Sequence, residues 1–332
     1  MTKLILHIGM GKTGTTSIQN VLRTGTEQLK AQKVHYLGMW FDEIDPKFHG
    51  ISGEQTFFQL DFASQETAAV AFAKVMREKQ TQNDVETFIF SNEAIFQQVS
   101  AISPFLLKLR TMVDLWIVAY IRDPHAWLPS AYVQWELRHK THPGPLRSFN
   151  VQARRLITMY DSYPVWQDLF GDIMKVRLHD TGTDVVQDFA AVCGITLDQE
   201  KTRHLARNED AEILLRAAFN NRIQASTLPT RFNAEILDPP KGVPSLSDLA
   251  RFCFENEGTA TIVSERRALF ERMRDELGPD FDFISGQSPN RKPHDMEATH
   301  KRLMDYLVEI TFLQAERIKN IENQMLELRK DQ

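Results

Sequence analysis

Three observations predict that the 332-residue chain adopts an α/β fold, a mostly parallel sheet flanked by helices. Short apolar, β-prone runs begin within the first few residues and recur at 34–37, 88–90, 115–121 and 174–178. Between them, apolar residues return at helical spacing, the alternation that builds a parallel sheet covered by helices. Past about residue 200 the periodicity is helical and strand candidates are scarce, so a mostly helical C-terminal region and a long C-terminal helix complete the fold. The expected organisation is an α/β core over residues 1–200, a helical extension of the same domain over 201–294, and a C-terminal helix over 295–332.

The first strand leads into LHIGMGKTGTTSIQ, residues 6–19. A chain that leaves a strand and enters a helix aims unpaired backbone N–H groups and the positive end of the helix dipole at one spot, which suits phosphate or sulfate. Gly9, Gly11 and Gly14 are expected to take positive φ and admit a ligand closely. Lys12 adds a charge, and Thr13, Thr15, Thr16 and Ser17 add hydroxyl donors. Gly11-Lys12-Thr13 matches the end of a Walker A loop, but that motif needs a glycine where Leu6 stands. The loop is P-loop-like without being a Walker loop. Its core, Lys12 to Thr16, resembles the 5′-phosphosulfate-binding loop of the sulfotransferase family, P-K-[ST]-G-T-T, with Gly11 where proline is common.

Helical stretches are expected over residues 16–30, then the short strand at 34–37 and a loop over 38–53. Residues 66–77 follow as a helix with Ala69, Val70, Ala73 and Met76 on one face. The strand at 88–90 then emerges into Ser91-Asn92-Glu93, which sets Glu93 on the same sheet rim as the glycine loop if the strands are parallel. A carboxylate there can accept a proton from an attacking hydroxyl. Equally, Ser91 or Asn92 could cap the next helix, with Glu93 in its first turn.

After an apolar segment at 105–112 comes LWIVAYIRDPHAWLPSAY, residues 115–132, a buried-looking strand ending in Arg122 and a helix that continues through Arg138. Carboxyl ends of such strands are where open α/β sheets bind ligands. Ser130 lies eight residues on, so a guanidinium and a hydroxyl can converge on one dianionic phosphate. The alternative is an arginine paired with Asp123, with Pro124 at the first helical position. The pattern Arg122-Asp123-Pro124 with Ser130-Ala131-Tyr132 resembles the family's R-[DN]-P element, whose serine and arginine bind the 3′-phosphate of the donor.

Residues 139–149 form a polar loop that could cover the site, a helical region ends near Gly171, and residues 185–193 form a helix ending at Gly194. The segment 239–244, rich in proline, punctuates the helical region. His7 reads as a core histidine. His125 could face the site, but no triad or metal-ligand spacing supports it, and no metal is required.

A net charge of −5 argues against nucleic-acid binding and confines any basic surface to a pocket. Cys193 and Cys253 carry no pairing signature, so a reducing compartment is expected. No 18-residue apolar run exists, and the early first strand leaves no room for a signal peptide, so a cytoplasmic protein without an integral membrane segment is expected.

Together the resemblances imply a soluble bacterial type of sulfotransferase dependent on 3′-phosphoadenosine 5′-phosphosulfate (PAPS). Lys12 and the amides of Gly14 to Thr16 would hold the 5′-phosphosulfate, Arg122 and Ser130 the 3′-phosphate, and Glu93 would occupy the place of the family's base. The acceptor implied is a carbohydrate or glycolipid hydroxyl, by analogy to members with an H-I-G-x-x-K-T-G-T-T start. The family's late R-K-G segment suggests that Arg291 and Lys292 reach the donor, though the glycine is missing and a solvated linker fits as well. Two other classes stay open: a magnesium-dependent phosphotransferase with Asp123 as metal ligand, and a catalytically silent donor-binding scaffold.

In the last segment, Leu303, Leu307, Ile310, Gln314, Ile318, Ile321, Met325 and Leu328 are spaced close to a heptad seam. Two readings fit it equally: a coiled coil that joins copies or docks a partner, and one helix folded back on its own domain.

Overall fold

The computed structural model describes residues 2–180, 182, 184–197, 210–228, 246–255, 258–284 and 294–330. Five strands form one all-parallel sheet: β1 (Lys3–Gly9), β2 (Val34–Tyr36), β3 (Thr87–Ser91), β4 (Asp114–Arg122) and β5 (Met174–His179), in the order β2-β3-β1-β4-β5. These are the five runs expected from hydropathy. β1 is central and buried from Leu4 to Gly9, as a strand covered on both faces must be.

The helices alternate with the strands: α1 (Thr15–Thr24), α2 (Thr26–Ala31), α3 (Gly50–Phe58), α4 (Phe62–Asn83), α5 (Val99–Leu109), α6 (Pro124–Tyr132), α7 (Phe149–Leu156), α8 (Ser162–Phe170) and α9 (Val185–Cys193). One sheet face packs Ile5, Ile89, Val118 and Tyr120 against Ile18 and Leu22 of α1, Leu29 of α2 and Phe189 of α9. The other carries a ring cluster in which Phe41 stacks on Phe57 at 3.8 Å and meets Phe90 at 5.1 Å, with Phe72 and Phe105 alongside.

Several local expectations are corrected. The segment 16–30 breaks at Gly25 into two helices. The helix expected over 66–77 runs the full length of α4, because Asp61 caps it by accepting from the Ser64 amide at 2.8 Å. Ala69, Ala73 and Met76 face inward with Phe72, whereas Val70 is 45% exposed. The loop expected over 38–53 contains two 3-10 turns, Phe41–Glu43 and Pro46–Phe48, and the start of α3. After α6 the chain continues as a π-helix, Val133–Arg138, in place of an α-helix.

The chain divides into two compact units. The first comprises Met1–Ala131, Ala153–Leu205 and Glu257–Pro289 and holds the whole sheet; the second comprises Tyr132–Gln152, Ala206–Asn256 and Asn290–Gln332. Within the second unit, buried Lys140 donates from Nζ to the carbonyls of Gly144 at 2.7 Å, Asn220 at 3.1 Å and Ile223. The last two lie at the C-terminal end of the helix Asp210–Arg222, where a cation is favoured. Fully buried Glu136 accepts from His142 Nε2 at 2.8 Å and from the Arg147 amide at 2.5 Å, so the polar segment 139–149 is anchored at several points. The last helix, Met296–Lys330, is 35 residues long. Cys193 and Cys253 are both free and buried. Among the described residues no helix is long and apolar enough to cross a membrane.

Candidate functional site

The connections after β1 and β4 leave the sheet toward opposite edges, α1 toward β2 and α6 toward β5. This is the reversal at which open α/β sheets form a crevice outside their carboxyl ends. The glycine loop follows β1 and Arg122 ends β4, so the two sequence-predicted anchors flank that reversal.

The loop is built tightly. Its ladder to β4 continues one residue beyond β1, the Met10 amide donating to Tyr120 O at 3.0 Å. Trp127, fully buried on α6, donates from Nε1 to Gly11 O at 2.8 Å. Thr13, also fully buried, donates from its hydroxyl to Met10 O at 2.6 Å. That hydroxyl hydrogen is therefore committed to closing the turn rather than to a ligand. Thr15 is buried as well, at 3% exposure, while Thr16 is exposed and Ser17 half-buried.

Positive φ occurs at Lys12 (72°) and Gly14 (80°), and at neither Gly9 nor Gly11, which corrects the expectation that all three glycines supply it. Gly9 is required for space instead: a Cβ there would lie 2.9 Å from Thr13 Oγ1. Gly14 is required twice over, by its φ and because a Cβ would lie 2.7 Å from Val185 Cγ1. Lys12 carries left-handed strain that a non-glycine residue seldom adopts.

Gly14 is the N-cap of α1 and provides no side-chain cap, and the first turn holds no acidic residue. The amides of Ser17 and Ile18 are taken by Gly14 O, at 3.0 and 3.2 Å. Those of Gly14, Thr15 and Thr16 find no acceptor among the described residues. The positive end of α1 is thus left open beside Lys12.

Arg122 donates from Nη1 to Lys12 O at 3.3 Å, which brings the two anchors together, and Tyr160 fixes the backbone behind it by donating its hydroxyl to Arg122 O at 2.5 Å. Among the described residues no carboxylate lies within ion-pair distance of the Arg122 guanidinium. Asp123 instead caps α6, its Oδ1 accepting from the His125 amide at 2.7 Å, so the pairing of Arg122 with Asp123 is not formed. Burial pulls the Arg122 pKa down from its ordinary value. The charges of Asp123 and Asp180 offset part of that fall, but neither carboxylate pairs with the guanidinium directly, so the half-buried group can still receive an anion. Ser130 is half-buried on α6, and no hydrogen bond joins its hydroxyl to Arg122 or to any other described residue.

Glu93 follows β3 on the same rim. Asn92 Oδ1 caps a 3-10 turn, Glu93–Gln98, by accepting from the Ala94 amide at 2.8 Å, so Glu93 does occupy a first turn. Its side chain does more than neutralise that turn: Gln19 of α1 donates from Nε2 to Glu93 Oε2 at 2.8 Å and to Ser91 O at 3.2 Å. Behind it, buried Glu54 of α3 accepts from Asn92 Nδ2. Desolvation pushes the Glu54 pKa up, and the neighbouring Glu93 charge adds to the rise.

Sequence reasoning missed Gln19 and Glu54, because each is an ordinary helical residue whose partner lies 74 or 38 positions away. It also missed His179, which ends β5 in register with Arg122 and whose pKa falls through burial and the adjacent Arg122 charge. Its position at a strand end was the available signal. His125 is turned away from the loop, with Nε2 3.1 Å from Phe283 O. His7 is fully buried with Nδ1 2.7 Å from Ser91 Oγ, but its Nε2 has no partner, so it is a core histidine only half satisfied. Arg291 and Lys292 lie outside the described residues.

Fold and site together define an α/β protein whose central strand of a parallel sheet ends in a glycine-containing turn at an uncapped helix N-terminus. No family model and no curated protein matches the chain. Among solved structures it is similar to a sulfotransferase domain from the curacin biosynthetic pathway, with 10% identity and a TM-score of 0.36 over 76% of this chain and 96% of that one.

Proposed function

We propose that this chain is a sulfotransferase that uses PAPS to sulfate a hydroxyl of an acceptor, of which carbohydrates and glycolipids are the favoured class. The observation that carries the reading is the pairing of an open α1 N-terminus beside Lys12 with an Arg122 that forms no ion pair among the described residues, on either side of the β1/β4 reversal. A nucleotide with anionic groups at both ends suits two such anchors.

The donor, when bound, supplies a sulfuryl group carried on a phosphate that can leave. Lys12 and the amides of Gly14 to Thr16 hold the 5′ end and stabilise the charge that develops on the leaving oxygen. Arg122 and Ser130 hold the 3′-phosphate. Glu93 takes the acceptor proton on Oε1, since Oε2 is occupied by Gln19. Magnesium-dependent phosphotransfer is less well supported, because the carboxylate it needs, Asp123, is already engaged as a helix cap. A cytoplasmic location, expected from the unpaired cysteines and the lack of a long apolar run, and a bacterial source, which rests on the resemblance, remain part of the proposal.

Calorimetry with adenosine 3′,5′-bisphosphate against ATP and magnesium tests the donor assignment: tighter binding of the bisphosphate is expected, and preference for ATP overturns it. Glu93→Gln should keep bisphosphate affinity and lose turnover in a PAPS-loaded screen of sugars, lipids and phenols. Undiminished turnover in that variant would remove Glu93 as the base.

A further inference from the structure

Among the described residues, eight of the fifteen exposed large apolar side chains lie on one helix, Met296–Lys330. A helix of that length spans about 50 Å. Leu303, at 4% exposure, is covered by its own chain, whereas Ile318, Ile321 and Met325 further along are 55%, 56% and 53% exposed. The two readings of this segment therefore separate along its length: it packs on its own chain at the start and presents an open seam beyond.

The seam runs Leu307, Ile310, Gln314, Ile318, Ile321 and Met325. From Leu307 to Ile318 is eleven residues, a four-residue insertion in a heptad pattern, which straightens the local supercoil without breaking the seam. With Ile318 and Ile321 as core positions, Arg317 and Glu322 flank the core as g and e positions.

We infer that this helix pairs with the same helix of a second copy, parallel and in register. Three features select that occupant. In a parallel pair, Arg317 of one chain meets Glu322 of the other, and symmetry repeats the attraction. Gln314 meets its own copy, so the one polar core position can satisfy itself by an amide–amide hydrogen bond, a device that fixes register. The seam is also symmetric about Gln314 in an antiparallel sense, but that arrangement needs Leu303 opposite Met325, and Leu303 is already covered. A second stripe, Met304, Val308 and Phe312, drifts around the helix away from the seam and ends at Phe312, so a two-stranded assembly does not need it.

Sedimentation equilibrium of the full chain from nanomolar to high micromolar concentration should report a dimer. The double variant Ile318→Asp, Ile321→Asp should be monomeric with an unaltered thermal melt, since both side chains are exposed in the single chain. Ile321→Cys should form a disulfide-linked dimer on mild oxidation, because a parallel pair sets the residue against itself; Cys193 and Cys253 are buried and give the background. Arg317→Glu should weaken the dimer at least severalfold, and adding Glu322→Arg should restore it. A monomer at every concentration, a trimer, a dimer indifferent to the double aspartate variant, or a dimer whose Ile321→Cys form does not cross-link would each overturn the proposal.

Discussion

The Gln19 side chain donates from Nε2 to Glu93 Oε2 at 2.8 Å, joining the helix that starts at the glycine loop to the carboxylate that follows β3. One amide thus ties the helix that follows the glycine loop to the group proposed to take the acceptor proton. Gln19→Ala should lower kcat by about five- to tenfold, the worth of about one hydrogen bond, and leave the affinity for adenosine 3′,5′-bisphosphate unchanged. A matching loss of bisphosphate affinity, measured by calorimetry, would assign Gln19 to the fold of the site and not to Glu93.

Arg122→Ala should weaken binding of adenosine 3′,5′-bisphosphate by about 10- to 100-fold, as loss of a charge-assisted contact in a half-buried site implies. It should affect adenosine 5′-monophosphate much less. Arg122→Lys should recover only part of the loss, because an ammonium cannot reproduce a planar fork of donors. Equal losses for the two nucleotides, measured by calorimetry, would show that Arg122 does not read the 3′-phosphate.

Gly14→Ala should destabilise the protein by roughly 1–3 kcal/mol, from the left-handed backbone and the contact with Val185. Val185→Ala should return the steric part and leave the backbone part. Urea denaturation of the single and double variants measures both. Additive losses in the double variant would remove the Val185 contact from the account.

His7 is fully buried, and desolvation pulls its pKa down to about 3 from the usual 6.5. Between these values the unfolded chain binds a proton that the folded protein refuses, so stability falls as pH drops through that window. The expected slope is about 1.4 kcal/mol per pH unit for this group. In His7→Gln the slope of unfolding free energy between pH 6.5 and 4 should be shallower by that amount. An unchanged slope would mean that His7 takes up its proton while folded.

Strand positions were legible because a buried parallel strand is a local signal, a run of β-prone apolar residues read without knowing its neighbours. The same holds for Gly14, Lys12 and Arg122, each of which sits at the end of such a run. The limits of α4 were missed because they depend on the capping side chain of Asp61 more than on hydrophobic periodicity. The roles of Thr13, Gly9 and Gly11 were misjudged for a related reason. Which residue of a tight turn takes positive φ depends on how the loop is clamped, and the clamp includes Trp127, 116 residues away.

By itself the sequence determined the α/β class, the five strands and the positions of the two loops proposed to bind the donor, since each follows from residues adjacent in the chain. Only the tertiary structure decided that Arg122 reaches the backbone of Lys12 and forms no ion pair among the described residues, that Gln19 holds Glu93, and that His179 stands beside Arg122. It also decided that the last helix is covered at Leu303 and exposed at Leu307, Ile318, Ile321 and Met325. Hydrogen bonds, charge pairing and burial act through space between residues far apart in sequence, and no local pattern encodes which of them will meet.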